Sequence, residues 1–199
     1  MIYFCTKFVT KYITKNKYNI MKKTVLTSVM FLLTLLFSCT SQTYVEPKTL
    51  EGLINSNQFT FMAKRANPTN FDAINVMNSL PNNNSARMLD LDYGYSVVIK
   101  EKELDVNLPY FGRLYNPSYD TSKNSYNFNS KDFTISKVQN KKGNWVFTVS
   151  PKDLSNVRVI YIEIFKNGGA YVSIDSNDRQ AISYDGYIMK NEVEKETKK

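Results

Sequence analysis

Between Leu89 and Ile99 every odd position is apolar or aromatic (Leu89, Leu91, Tyr93, Tyr95, Val97, Ile99), and the even positions are polar or glycine except Val98. A period of two sets one side of an extended strand against a core and the other in water, the pattern of a half-buried antiparallel sheet. Tyr93-Gly94 marks where this run bends or splits. The same alternation recurs at Phe59, Phe61 and Ala63, at Leu104, Val106 and Leu108, at Phe133 and Ile135, at Trp145, Phe147 and Val149, and at Ala170, Val172 and Ile174. Val157 to Phe165 is apolar at both odd and even positions, so a central strand buried on two sides is expected there. Asn140-Lys-Lys-Gly143 and Asn167-Gly168-Gly169 are hairpin signals, and Lys100–Glu103 and Asn177–Gln180 are polar turns. A last strand spans Ala181 to Met189. Lys48 to Asn57 carries Leu50, Leu53 and Ile54 at helical spacing. Asn67–Ser85 reads as a loop with a turn of helix around Phe71 to Met77, and Asn116–Ser130 as mostly loop. The expected fold is mainly β, with an α+β description left open: a single antiparallel curved sheet or barrel-like sandwich of about eight strands with a short N-terminal helix.

Ahead of this domain stands a segment of a different kind. Lys22 and Lys23 precede an apolar run from Val25 to Phe37, thirteen residues by position, and Ser38-Cys39 follows. A membrane-crossing helix needs about 20 apolar residues, so the run reads as a secretory signal instead. Leu36-Phe37-Ser38-Cys39 resembles the lipobox of bacterial lipoproteins, with Phe37 bulkier than the usual residue at its place. The resemblance implies cleavage before Cys39 and a diacylglyceryl thioether on its sulfur. Two acyl chains anchor stably where one does not. Residues 1–20 are either an extended leader or lie upstream of a true start at Met21. The expected organisation is a leader and lipoprotein signal at 1–38, a lipidated tether at 39–47, one β-rich domain at 48–189 and a charged tail at 190–199. Thr40-Ser-Gln-Thr-Tyr44 holds no acidic cluster, which favours an outer-membrane lipoprotein facing the periplasm.

Charge and composition exclude several chemistries. The whole chain carries +8, but all six charged residues of 1–38 are lysines, so the remainder has 20 basic residues against 18 acidic. A net +2 gives no support to a nucleic-acid partner. Removing 38 of 199 residues leaves 161, enough for one domain with its own core. Of the two cysteines, Cys5 is in the leader and Cys39 is the lipidation candidate, so no disulfide is expected. With no histidine and no free thiol, the imidazole triads, thiolate nucleophiles and His- or Cys-ligated zinc are absent. Asp175-Ser-Asn-Asp178 lacks the glycine and glutamate of a calcium loop. Asp90 and Asp92 read as solvated strand carboxylates. No cofactor and no metal site are expected.

Two further segments carry a family signature. Leu108-Pro-Tyr-Phe-Gly-Arg-Leu-Tyr115 and Asn177-Asp-Arg-Gln-Ala-Ile-Ser-Tyr-Asp-Gly186, with Phe59-Thr-Phe-Met-Ala63, resemble a domain-of-unknown-function family of Gram-negative bacterial envelope lipoproteins. The resemblance covers about residues 50 to 189, and Leu114 stands where alanine is usual. It implies a secreted, lipid-anchored domain and supplies no reaction. Read physically, Tyr110, Phe111, Arg113 and Tyr115 set a guanidinium among aromatics, with Gly112 allowing a tight bend. A stacking pocket for an aromatic, carboxylate or phosphate group is one reading; an arginine covering rings and bonding carbonyls is the commoner one. Arg179 with Tyr184 and Asp185 reads the same way, as a structural ion pair. The candidate ligand-binding residues are therefore Tyr110, Phe111, Arg113, Tyr115, Arg179 and Tyr184, and the lipidation site is Cys39.

The expected function is a lipid-anchored, non-catalytic binding or interaction module. Its partners are the membrane, through Cys39, and an envelope protein or small apolar ligand. The alternative is a carrier of a lipid or other apolar ligand inside the curved sheet; an empty interior large enough for an acyl chain would support it, and a core filled by Phe59, Trp145, Ile162 and their neighbours would end it. A carboxylate-dependent hydrolase of envelope glycans ranks last, since no carboxylate pair is evident.

Overall fold

β-Branched and aromatic residues at alternate positions build one antiparallel sheet with its apolar side inward. A computed structural model describes residues 42–69, 89–115 and 125–192, with scattered positions at 23–30 and 75–87. The chain divides into two units, Met1–Gln42 and Thr43–Lys199. The second holds helix α1 (Pro47–Ser56) and nine strands: β1 (Phe59–Pro68), β2 (Ser96–Ile99), β3 (Leu104–Leu108), β4 (Tyr126–Ser130), β5 (Phe133–Gln139), β6 (Trp145–Pro151), β7 (Val157–Ile164), β8 (Gly169–Ser176) and β9 (Ile182–Met189).

The strands lie in the order β4-β3-β2-β1-β9-β8-β7-β6-β5. Every neighbouring pair is antiparallel, so the two outermost strands, β4 and β5, run the same way. Only Lys131 and Asp132 separate them. A crossover between parallel strands needs about a dozen residues. β4 and β5 are therefore two halves of one bent passage, the first pairing with β3 and the second with β6. The two edges of the sheet belong to one piece of chain, and the sheet is nearly closed into a barrel. Nine strands thus make eight chain passages.

The bend is fastened by Asp153. Its carboxylate accepts from the Ser130 hydroxyl and from the amides of Lys131 and Asp132, while the Lys152 amide donates to the Asp132 carbonyl. The Ser130 hydrogen bond, then that of the Lys131 amide, hold the Asp153 carboxyl below its ordinary range. Asp153→Ala is expected to open this corner locally. Hydrogen exchange at the Lys131 and Asp132 amides should speed up while the amides of β8 keep their protection; unchanged exchange at the corner would refute the clamp.

The structure changes several sequence expectations. The run from Leu89 to Ile99 does split: Gly94 at φ +119° separates β2 from residues 89–91, whose backbone bonds to the far half of β1. Tyr126–Ser130, expected as loop, is β4. β7 is buried on one face only, with Ile160, Ile162 and Ile164 inside and Tyr161 46% exposed. Its neighbours cover its edges but, among the described residues, nothing covers its outer face, so apolar residues there did not mean two-sided burial. The tether is shorter than expected, because Tyr44 and Val45 are bound to the domain and α1 begins at Pro47. Of the turn of helix expected at 71–77 only Asn75, in helix, is described, and the tail beyond 192 lies outside the described residues.

Large apolar side chains of the described strands line the interior. Phe59, Phe61, Leu104, Leu108, Phe147 and Ile162 are fully buried, and the Phe59 and Phe147 rings meet edge to face at 5.1 Å. Helix α1 adds Leu50, Leu53 and Ile54 to the core. It ends at Asn57 (φ 54°), a residue type that tolerates the left-handed region, and Lys137 Nζ caps it by donating to the Ile54 carbonyl at 2.8 Å. Between β1 and β9, Gly186 faces Ala63 where any Cβ would strike the Met62 carbonyl oxygen and the Phe61 ring. That glycine permits the close approach that joins the first strand to the last.

Candidate functional site

β3 ends at Leu108, and the chain from Pro109 to Tyr115 then folds onto the β8–β9 turn. Leu114 bridges Arg179, the Tyr115 amide donates to the Asp178 carbonyl at 2.9 Å, and the Gln180 amide donates to the Arg113 carbonyl at 3.1 Å. The segments 108–115 and 177–186, with 61 residues between them in sequence, are therefore one structural unit.

Arg179 is its centre. Its side chain is only 5% exposed, and its guanidinium carbon lies 5.1 Å from the Tyr110 ring centroid and 4.8 Å from that of Tyr126. Nε and one terminal nitrogen donate to the Asp178 carboxylate at 3.1 and 2.9 Å, and the other terminal nitrogen donates to the Ser125 carbonyl at 3.2 Å. This is a bidentate ion pair clamped between two rings that meet edge to face at 5.7 Å. Tyr110 Oη sits 2.9 Å from the Arg113 carbonyl and 3.0 Å from that of Gln180. The Tyr184 hydroxyl donates to the Pro109 carbonyl at 2.7 Å, and the hydroxyls of Tyr126 and Ser176 share a bond at 3.0 Å. Outside this cluster lies a cleft of about 450 Å³, lined by Ser125 to Phe128 of the β4 region and by Asn156, Asp178 and Arg179.

Of the residues expected here, Tyr110, Arg179 and Tyr184 come together. Phe111 is half-buried against the core. Arg113 is exposed and contributes its carbonyl; Tyr115 is 58% exposed and contributes its amide. The guanidinium among aromatics is thus that of Arg179. The expected pairing of Arg179 with Asp185 is corrected as well. Asp185 points off β9 and accepts from Asn67 Nδ2 at 2.7 Å, while the adjacent Asp178 holds the arginine. Asp90 forms an exposed ion pair with Arg65 at 3.6 Å, and among the described residues no group of His, Cys, Asp or Glu is placed to hold a metal ion. Cys39 lies outside the described residues.

Residues 40–188 match the family model of a domain of unknown function, DUF4251. The chain belongs to the DUF4251 family. It is similar to a crystal structure of a DUF4251 family protein from Bacteroides eggerthii DSM 20697, at 13% identity and a TM-score of 0.46, over 74% of this chain and 89% of that one. No curated protein matches it. Residues 108–115 and 177–186 both fall within the matched part of this DUF4251 domain.

The tyrosines around Arg179 are tuned by burial. Loss of water pushes the Tyr126 hydroxyl from its ordinary value of 10 up to about 12, and raises Tyr184 and Tyr110 as well. The folded DUF4251 domain holds these protons more tightly than the unfolded chain. Stability from them is whole below about pH 10 and is lost as pH rises through the folded-state values, at about 1.4 kcal/mol per unit for each of the well-buried Tyr126 and Tyr184 hydroxyls. Urea midpoints are expected to fall between about pH 10 and pH 12, and to fall less steeply in Tyr126→Phe. Parallel pH profiles in the two proteins would contradict this.

Sequence reasoning missed Tyr126, Ser125 and Asp178 in the DUF4251 domain. The signal for Tyr126 was present, since Tyr126, Phe128 and Ser130 alternate with asparagines. Asparagine is depleted in strands, and its presence led the segment to be read as loop.

Proposed function

We propose that this DUF4251 protein is a lipid-anchored envelope protein, held through Cys39 and facing the periplasm, whose β domain is a non-catalytic binding module. Its ligand is an extended segment of another envelope protein that lies in the cleft beside β4. The observation carrying this reading is the edge of β4 itself. β4 pairs with β3 on one side, and Ser125 to Phe128 line an open cleft. A strand edge offers alternating amides and carbonyls to an incoming chain, and strand addition is a recurrent mode of peptide capture. Asn127 and Asn156 supply side-chain donors and acceptors along the cleft, and the Arg179 cluster holds its wall rigid.

Other features favour an external, non-catalytic site. The interior is occupied by side chains, which disfavours a ligand inside the sheet. The carboxyl of Glu103 is held below its ordinary range, first by its hydrogen bond to Lys100 and then by that to Asn129, and Asp153 is lowered too. A glycosidase general acid needs the opposite shift. The carrier reading keeps one supporting observation, a groove of about 390 Å³ between α1 and β5–β7, lined by Leu50, Ile54, Trp145, Ile164 and Phe165. It ranks second because that groove is open at the surface.

A photo-crosslinking residue at Asn127, expressed in the native host, tests the proposal. One discrete envelope protein is expected to be captured, and the same probe at Tyr161 on the outer face of β7 should capture none. Equal capture at both positions, or none at Asn127, would refute the β4 site.

A further inference from the structure

Tyr44 and Val45, shortly after the lipidation candidate, do not hang free. The Tyr44 amide donates to the Asn167 carbonyl at 2.8 Å. The Tyr44 ring stacks on Tyr187 with centroids 5.1 Å apart and planes 9° apart. Lys64 Nζ stands 4.7 Å from one ring centroid and 5.1 Å from the other. Lys64 is the extra residue of the β1 bulge, the register shift lying between Ala63 and Arg65 opposite β9. Val45 packs against Gly168, whose φ of +81° turns the β7–β8 hairpin and where a Cβ would sit 3.0 Å from the valine. A backbone bond, a ring stack, a cation and an aliphatic contact together fix residues 44 and 45 to one end of β7, β8 and β9.

Tyr44 is five residues beyond Cys39. Five residues fully extended reach about 18 Å, less than the size of the domain. A diacylglyceryl group on Cys39 lies at the headgroup level of a bilayer, so a tether this short cannot let the domain turn over. The chemistry of this end suits such a surface. Phe165 is 37% exposed beside the exposed Lys166, and Gly143 of the β5–β6 turn, which carries exposed Lys141 and Lys142, lies against the Lys166 side chain. Lys48 follows on α1, with the exposed acids Glu46 and Glu51 beside it, and exposed Glu101 and Glu192 follow the ends of β2 and β9 at the same end of the sheet. An aromatic ring flanked by lysines is at home at a lipid headgroup boundary, the alkyl stems lying on apolar surface and the ammonium groups toward phosphate.

We infer that the end of the domain bearing the β7–β8 turn faces a phospholipid surface, with Phe165 and Lys166 at the headgroups, so that the Arg179 cleft is directed away from the membrane. The inference rests on lipidation of Cys39. β8 connects the two ends: it leaves the Asn167-Gly168 turn at Gly169 and reaches Ser176, just before Asp178 and Arg179. Eight residues of strand separate them by about 23 Å. The fastened tether thus presents the β4 cleft outward, where a partner can reach it.

The test uses the full acylated protein in vesicles of phosphatidylethanolamine with a minor share of phosphatidylglycerol. Spin labels are placed at Lys166→Cys and, separately, at Asn177→Cys, both exposed turn positions. A lipid-bound nickel chelate is expected to broaden away most of the signal at position 166 and to leave that at 177 nearly intact. Equal broadening, or stronger broadening at 177, would overturn the orientation. Inserting a flexible Gly-Ser segment of about 15 residues after Gln42 is expected to abolish the difference. A difference that survives the insertion would overturn the role of the short tether. Intact mass of the same preparation separates the two layers of the argument. An unmodified Cys39 defeats the lipid anchor itself, whereas an acylated Cys39 with equal broadening defeats only the orientation.

Discussion

Arg179→Ala is expected to destabilise the domain by about 3 kcal/mol, read as the shift in urea unfolding free energy. Removing one partner of a buried ion pair costs about 3–5 kcal/mol because the other is left uncompensated. Here the lower end applies, since the Asp178 side chain remains 29% exposed and keeps some water. The loss has further parts: the Ser125 carbonyl loses its donor, and the Tyr110 and Tyr126 rings lose the cation between them. Arg179→Lys should recover little, because an ammonium can neither fork onto a carboxylate nor stack between rings. Arg113→Ala, at an exposed residue of the 108–115 segment, should stay within about 0.5 kcal/mol. Equal costs at the two arginines would mean that Arg179 is not what joins the segments.

Phe147→Ala is expected to cost about 3–5 kcal/mol, the range for deleting an aromatic side chain from a close-packed core. Phe147 is fully buried, edge to face with Phe59, and Lys137 Nζ lies 5.9 Å from its ring while capping α1. The measurement also bears on function. A sheet that encloses an apolar ligand has slack around its lining residues, and truncating one would be mild. A filled sheet has none. A cost below about 1 kcal/mol would revive the interior carrier. Tyr161→Ala, on the outer face of β7, is the matching control and should be nearly neutral.

What the sequence disclosed, and what it withheld, follows from the range of each signal. Alternation is local, so the strands around Phe59, Leu104, Trp145, Ala170 and Ile182 were legible, as was α1 from Leu50, Leu53 and Ile54. The hairpin at Asn167-Gly168-Gly169 was legible because a left-handed φ favours glycine there. The corner at Lys131–Asp132 was not. It depends on Asp153, more than twenty residues away, accepting from the turn. Tyr126 was hidden by its asparagine neighbours. The Arg179 cluster was half legible. Residues 108–115 and 177–186 both stood out, but the choice of Asp178 over Asp185 depends on which way each side chain leaves the β8–β9 turn. The bound state of Tyr44 had no sequence signal at all, since a Tyr-Val pair in a polar stretch does not announce a stack on Tyr187.

The functional account depends most on the anchor. Intact mass spectrometry of the protein recovered from membranes of its native host tests it directly. The account predicts a mature chain that begins at Cys39 and carries a diacylglyceryl group on that sulfur. A mature chain with an unmodified Cys39, or one beginning elsewhere, would contradict it.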